Sequence, residues 1–263
     1  MSKPAGLLGP DDLPPFELYN AQGRAQGLLL CDHASAAIPA ALGDLGLDES
    51  QRRLHIAWDI GAADVTRRLS QRLDAAAILS GYSRLVIDCN RRLDDPTSIP
   101  QESDGVPVSG NRGLTANDRS ARAEACFWPY QHAIEGWIAA RRADRKMPII
   151  VSMHSFTPVM DGYERPWHIG VLANRDRRVA QPLIDALRRD PALSVGDNKP
   201  YDGRHGRGYG MMVHGEELGL PFALIEMRQD LIDTHSGAEA WANRLAPILG
   251  QIFADGLAGG VEA

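Results

Sequence analysis

Two stretches, Leu28-Leu29-Leu30-Cys31-Asp32-His33-Ala34-Ser35 and Ile149-Ile150-Val151-Ser152-Met153-His154-Ser155, follow one design. In each, an apolar run without alternation ends in a histidine, and small residues and then a proline, Pro39 or Pro158, follow. Such runs suit parallel strands covered on both faces, which predicts an α/β fold. Parallel strands end on one edge of their sheet, and that carboxyl edge is where open α/β folds bind ligands. His33 and His154 are therefore expected to arrive together, as a candidate metal site. A histidine at a strand end also serves as a purely structural hydrogen-bonding residue, and the spacing alone is no zinc motif. The chain has no His-Glu-x-x-His, and Cys31, Cys89 and Cys126 form no Cys-x-x-Cys pair.

The chain has 263 residues, 44% of them hydrophobic, enough for one large α/β domain with a substantial core. No linker breaks it, so the expected organisation is an N-terminal arm over residues 1–15, rich in proline, and a single domain over 16–263. Lysine and arginine number 28 against 34 acidic residues, a formal charge of -6. That balance argues against nucleic acid or an acidic membrane surface as partner and favours small-molecule chemistry. Three cysteines describe no disulfide framework and point to a reducing compartment. With no signal peptide and no membrane-spanning run in the sequence, the expected location is the cytoplasm.

Around the two histidine strands the pattern predicts an edge strand at Phe16–Tyr19 and a short helix opened by the Asp48 and Gln51 capping box. A second helix follows, with Ile60, Val65, Leu69 and Leu73 facing inward. Asp59, just before it, is either that helix's N-cap or a third, oxygen ligand beside His33. Strands are expected over Ala75–Leu79 and Leu85–Asp88, then a long loop from Leu93 to Gly113 that reads as a lid or wall. Residues 116–143 read as helix with a break or kink at Pro129, and His132 within them as structural. Beyond the second histidine strand come a strand at Trp167–Ala173, a helix near Arg177–Arg189 and a polar loop from Asp197 to Gly210 containing Arg207. A short helix with His214 follows, ended by Gly219, then a strand delivering Glu226, and a helix at Ser236–Phe253 before a Gly-Ala tail.

Asp88-Cys89-Asn90-Arg91 places an amide and a planar guanidinium after an apolar run, a suitable receptor for a carboxylate, although solvated arginines are also common. Glu226 ends an apolar strand, where a charge without a partner is costly, so it is either paired or reserved as a base. Ser35 and Ser155 follow the histidines, but no Gly-x-Ser-x-Gly elbow supports a serine nucleophile.

The strings CDHAS, WDIGA, SRLVIDCNR, SIPQESDG, MHSF and LIEMRQDLI, in this order from about Phe16 to Phe253, resemble the N-formylglutamate amidohydrolase family. The resemblance implies a three-layer α/β/α sandwich with a mixed, largely parallel sheet, related to zinc carboxypeptidases and aspartoacylases. It implies a zinc-dependent hydrolase that cleaves a small anionic N-acyl amino acid, N-formyl-L-glutamate giving formate and L-glutamate. On that basis His33 and His154 are two zinc ligands. The carboxypeptidase relatives take a glutamate three residues after the first histidine, where this chain has Ala36, and Asp59 is the substitute third ligand. Glu226 is the implied general base, and Asn90 with Arg91 the implied α-carboxylate receptor. Arg84 and Arg228 are assigned further substrate oxygens, and His214 or Tyr209 the scissile carbonyl. Two rivals stand beside this reading: an amidase or carboxypeptidase acting on a peptide or cell-wall fragment, and a catalytically silent carboxylate-binding protein.

Overall fold

The computed structural model describes residues 6–206 and 208–255. The first five residues of the expected arm, Arg207 and the Gly-Ala tail lie outside the described residues. Eleven strands occur among the described residues: β1 Phe16–Tyr19, β2 Gly27–Cys31, β3 Ala76–Ser80, β4 Glu102–Ser103, β5 Val106–Pro107, β6 Ile149–Phe156, β7 Val159–Met160, β8 Tyr163–Glu164, β9 Ile169–Leu172, β10 Val195–Asp197 and β11 Phe222–Arg228. Seven of them form one sheet in the order β1-β3-β2-β6-β11-β9-β10, while β4-β5 and β7-β8 are separate two-stranded ribbons. The four central strands are parallel, β1 runs against β3, and β9 runs against β11. The sheet is thus mixed and largely parallel.

Strand period accounts for the layering. From β6, Ile149, Val151 and Met153 face one side, where they meet Leu29, Ile225 and the buried faces of the helices α2 (Ala62–Leu73), α5 (Ala180–Leu187) and α6 (His235–Ala254). Ile150 and the alternate residues Leu28, Leu30 and Leu224 face the other side, against Tyr130, Ile134 and Ile138 of helix α4 (Trp128–Ala143). The outcome is a three-layer α/β/α sandwich, as expected. A third apolar cluster, with Leu45, Leu85, Val86, Ile87 and Phe127, packs beneath the loops at the carboxyl edge.

One expected strand is absent. Leu85–Asp88 is a buried turn, not a strand, because its backbone groups are satisfied locally instead of by a ladder. Val86 N donates to Ser83 O, Asp88 N to Ser98 O, Asn111 Nδ2 to Leu85 O and the buried Arg122 guanidinium to Val86 O. The predicted break at Pro129 takes a definite form. Helix α3 (Ala116–Arg122) passes through a π-turn at Ala123–Phe127, after which Pro129 sits in the first turn of α4, where its missing N–H does no harm. The Asp48 capping box forms on helix α1 (Glu49–Arg52). The short helix carrying His214 is a π-helix, Gly210–Glu216. No helix among the described residues is long and apolar enough to cross a membrane.

Candidate active site

The register β2 to β6 pairs Leu30 with Ser152, and β11 to β6 pairs Glu226 with His154. Three parallel strand ends therefore bring Asp32, His33, His154 and Glu226 to one edge of the sheet. Helix α2 does not use Asp59 as its cap; the N-cap is Gly61 at φ 79°, and its N-terminus has no side-chain cap. Asp59 is instead anchored by its own N–H to His33 O at 2.9 Å, which turns its carboxylate toward the histidines.

Asp59 Oδ2 lies 3.3 Å from His33 Nδ1 and 2.8 Å from His154 Nδ1, with the imidazole centroids 4.9 Å apart at 73°. The opposite nitrogens are each held by a buried carboxylate. His33 Nε2 donates to Asp88 Oδ1 at 2.7 Å, and His154 Nε2 to Asp32 Oδ2 at 2.9 Å. Asp32 also accepts from Ser152 Oγ at 2.8 Å and Tyr130 Oη at 2.9 Å, while Asp88 accepts from Asn90 N at 2.8 Å and Arg84 Nη2 at 2.9 Å. All five groups of this core, the two histidines and Asp32, Asp59 and Asp88, are 4% exposed or less.

Each ring thus has a carboxylate at both nitrogens, and a cation at Asp59 would select the tautomer protonated on Nε2. With a proton on each Nε2, both Nδ1 atoms turn a lone pair toward Asp59 Oδ2, and three acceptors converge within 4.8 Å of one another. Acceptors this close require positive charge between them. The electrostatics agree: burial opposes charge on His154, but its bonds to Asp32 and Asp59 prevail and hold the ring well above its ordinary pKa. Burial would likewise raise Asp59, yet the two imidazoles keep it well below the usual carboxylate range. Two neutral nitrogens and one carboxylate, with outer carboxylates locking the rings, form a donor set that fits a divalent cation such as zinc.

Glu226 is 6% exposed and lines the cavity in front of this cluster, where its Oε2 has no hydrogen-bond partner. Burial pushes its carboxyl up to about 7, against the pull of His154. The cavity measures about 810 Å³. His33, Asp59, Arg84, Asn90, Arg91, His154, Tyr201 and Glu226 line it, and Ser103 and Asp104 from the β4-β5 ribbon form part of its wall.

The other expected site residues distribute unevenly. Arg91 is on the wall, with Nη1 donating to Asn90 O at 3.0 Å and no carboxylate partner among the described residues. Asn90 Oδ1 accepts from Gly210 N at 3.3 Å. Arg84 also lines the cavity, but its guanidinium is committed to Asp88 and, at 3.5 Å, to Asp59. Arg228 pairs with Asp230 at 2.8 Å and is not among the lining residues. His214 and Tyr209 stand behind the wall, contrary to a role on the scissile carbonyl. His214 is fully buried, with Nε2 2.8 Å from Gln131 Oε1, and Tyr209 packs edge-on against Phe127 and His214. Tyr201 comes from the polar loop Asp197–Gly210, while Asp32, Asp88 and Arg165 lie outside the site residues that the sequence points to. For Asp32 and Asp88 the available signal was a carboxylate directly after a buried apolar run.

A three-layer sandwich whose carboxyl edge gathers two histidines, a bridging aspartate and an unpaired glutamate is the architecture of a hydrolase with a candidate metal centre. Residues 25–233 match the family model described as N-formylglutamate amidohydrolase, and the chain belongs to that family of amide hydrolases. It is similar to the gene product Atu2144 of Agrobacterium tumefaciens, at 33% identity and a TM-score of 0.91, covering 95% of this chain and 98% of that one. Its fold also matches an N-formylglutamate amidohydrolase from Ralstonia eutropha JMP134, at 16% identity and a TM-score of 0.74, over 93% of this chain and all of that one. None of the curated proteins matches the chain.

Proposed function

We propose that this amidohydrolase is a cytoplasmic, zinc-dependent enzyme acting on a small N-acyl amino acid, with N-formyl-L-glutamate as the substrate to test first. The observation that carries the reading is the convergence of His33 Nδ1, His154 Nδ1 and Asp59 Oδ2, each ring locked from behind by a buried carboxylate. A zinc ion held by these three residues supplies the Lewis acidity that an unreactive amide carbonyl needs.

The remaining roles belong to the chain itself. Glu226, buried and without a partner at Oε2, accepts the proton of the attacking water and returns it to the leaving nitrogen. A carboxyl pushed up to about 7 is matched to both halves of that transfer near neutral pH. Arg91 and Asn90 bind the α-carboxylate, and the bidentate fork of the guanidinium fixes its orientation. Asp32 and Asp88 keep the imidazoles in the tautomer that leaves Nδ1 free.

The cavity volume of about 810 Å³ favours one second reading, a larger N-acylated peptide in place of a formyl amino acid. The test is elemental analysis of the purified protein, together with formate release from N-formyl-L-glutamate before and after chelation. About one zinc per chain with chelator-sensitive release supports the proposal. Turnover indifferent to chelation, or none after zinc is added, sinks it.

A further inference from the structure

Arg165 follows directly on the β7-β8 ribbon and is only 8% exposed. No carboxylate pairs with it among the described residues. A buried guanidinium without a counter-charge is costly unless its donors are well used. Those of Arg165 are used poorly. Three oxygen contacts fall on one nitrogen, Nη1, at 3.3 to 3.4 Å: Thr157 O, Thr157 Oγ1 and Tyr201 Oη. Nη2 meets only the thioether of Met160, a weak acceptor on a flexible side chain.

Arg122 is also buried without a carboxylate partner, yet it has firm acceptors in Val86 O at 3.0 Å and Asn111 Oδ1 at 2.6 Å, and it is not among the lining residues of the cavity. Arg165 is not a lining residue either, but it stands directly behind two that are, touching Met160 and Tyr201. Its guanidinium also lies 5.1 Å from the Tyr201 ring centroid. Tyr201 in turn feels the field of Glu226 across the same cavity.

We infer that Arg165, with Tyr201, is the specificity-determining subsite for a second anionic group, the side-chain carboxylate of the substrate, which enters by displacing Met160. This rests on the amidohydrolase reading above and assigns its acidic specificity to a residue that the motifs do not include. Arg84 is spent on Asp88 and Asp59, and Arg91 adjoins the α-carboxylate position, so a dicarboxylate requires another cation.

The experiment compares kcat/KM for N-formyl-L-glutamate with N-formyl-L-glutamine in the zinc-loaded wild type, Arg165→Met, Arg165→Lys and Tyr201→Phe. The wild type is expected to prefer the acid by about 100-fold or more, since a charge-assisted pair is lost with the amide. Arg165→Met should cut that preference at least tenfold, chiefly through KM for the acid, while leaving the amide nearly unaffected. Arg165→Lys should restore part of it. A merely structural arginine would instead lower both substrates alike and lower the melting temperature. An unchanged ratio in a folded Arg165→Met protein, or no preference in the wild type, overturns the assignment. If neither compound is turned over, the parent reading fails, and calorimetric binding of L-glutamate against L-glutamine still decides: tighter glutamate binding that vanishes in Arg165→Met supports the subsite, and equal binding refutes it.

Discussion

Asp32, the residue next to His33 in sequence, holds not that histidine but His154, across 122 positions and 2.9 Å. Alternation along neighbouring strands compels this crossing. Asp32 continues the face of Leu30, which is in register with Ser152, so its carboxylate lies over Ser152 and His154. His33 turns elsewhere and is served by Asp88. Asp32→Asn should therefore weaken zinc binding at the His154 side, by about 10- to 100-fold, the usual cost of removing an outer partner of a metal-bound histidine. Competition with a chelator of known affinity measures it, and an unchanged zinc affinity would show that Asp32 serves the fold alone.

Glu226→Gln keeps shape and removes the base. Its expected effect is a fall in kcat of about 10²- to 10⁴-fold with KM nearly constant, because the proposed binding mode places the substrate carboxylates on Arg91 and Arg165 and not on Glu226. Stability should not drop, since the carboxylate atom Oε2 makes no hydrogen bond to lose. Steady-state kinetics and a thermal melt on the same preparation check both statements. A Glu226→Gln protein with wild-type kcat would remove Glu226 from the mechanism.

The strands carrying the histidines and Glu226 were legible because long apolar runs ending in a polar residue have few alternatives in an α/β chain. Leu85–Asp88 misled for a related reason: three apolar residues describe a buried turn as well as a strand, and only the distant Asn111 and Arg122 reveal which. Asp59 was readable as cap or ligand; Gly61 takes the cap position, and the backbone tie to His33 turns the Asp59 carboxylate toward the two histidines. His214 looked like a reagent by its histidine chemistry alone, but a π-helix turns it to Gln131 behind the wall. Arg165 gave no signal, since nothing periodic marks a ribbon residue whose significance is a missing counter-ion.

Gly61 sets the entry of α2 immediately after Asp59. It has φ 79°, and a Cβ there would meet Ile232 O at 2.2 Å. Gly61→Ala combines a disfavoured left-handed backbone with overpacking against rigid main chain, a loss of about 1–3 kcal/mol. Because the strain falls two residues from Asp59, zinc affinity should decline along with stability. Chemical denaturation with parallel zinc titration tests the coupling. A destabilised variant that binds zinc as tightly as wild type would separate the helix entry from the site.

His214 gives the chain an acid-sensitive step away from the His33-Asp59-His154 cluster. Burial lowers its pKa from 6.5 to about 4, and only the field of Asp32 opposes this. Gln131 Nε2 donates to Cys89 O, so Gln131 Oε1 faces His214 and requires the proton on Nε2, leaving a neutral ring with Nδ1 unpartnered. The unfolded chain, with an ordinary histidine, takes up its proton first as the pH falls. The neutral ring's contribution to stability is therefore complete above about pH 6.5 and is lost progressively down to about pH 4, a change of about 3 kcal/mol. His214→Gln retains a donor for Gln131 but cannot titrate, so its unfolding free energy should fall less steeply than wild type between pH 6.5 and 4. Urea denaturation at half-unit pH intervals provides the comparison, and parallel pH profiles for the two proteins would show that His214 is already charged in the fold.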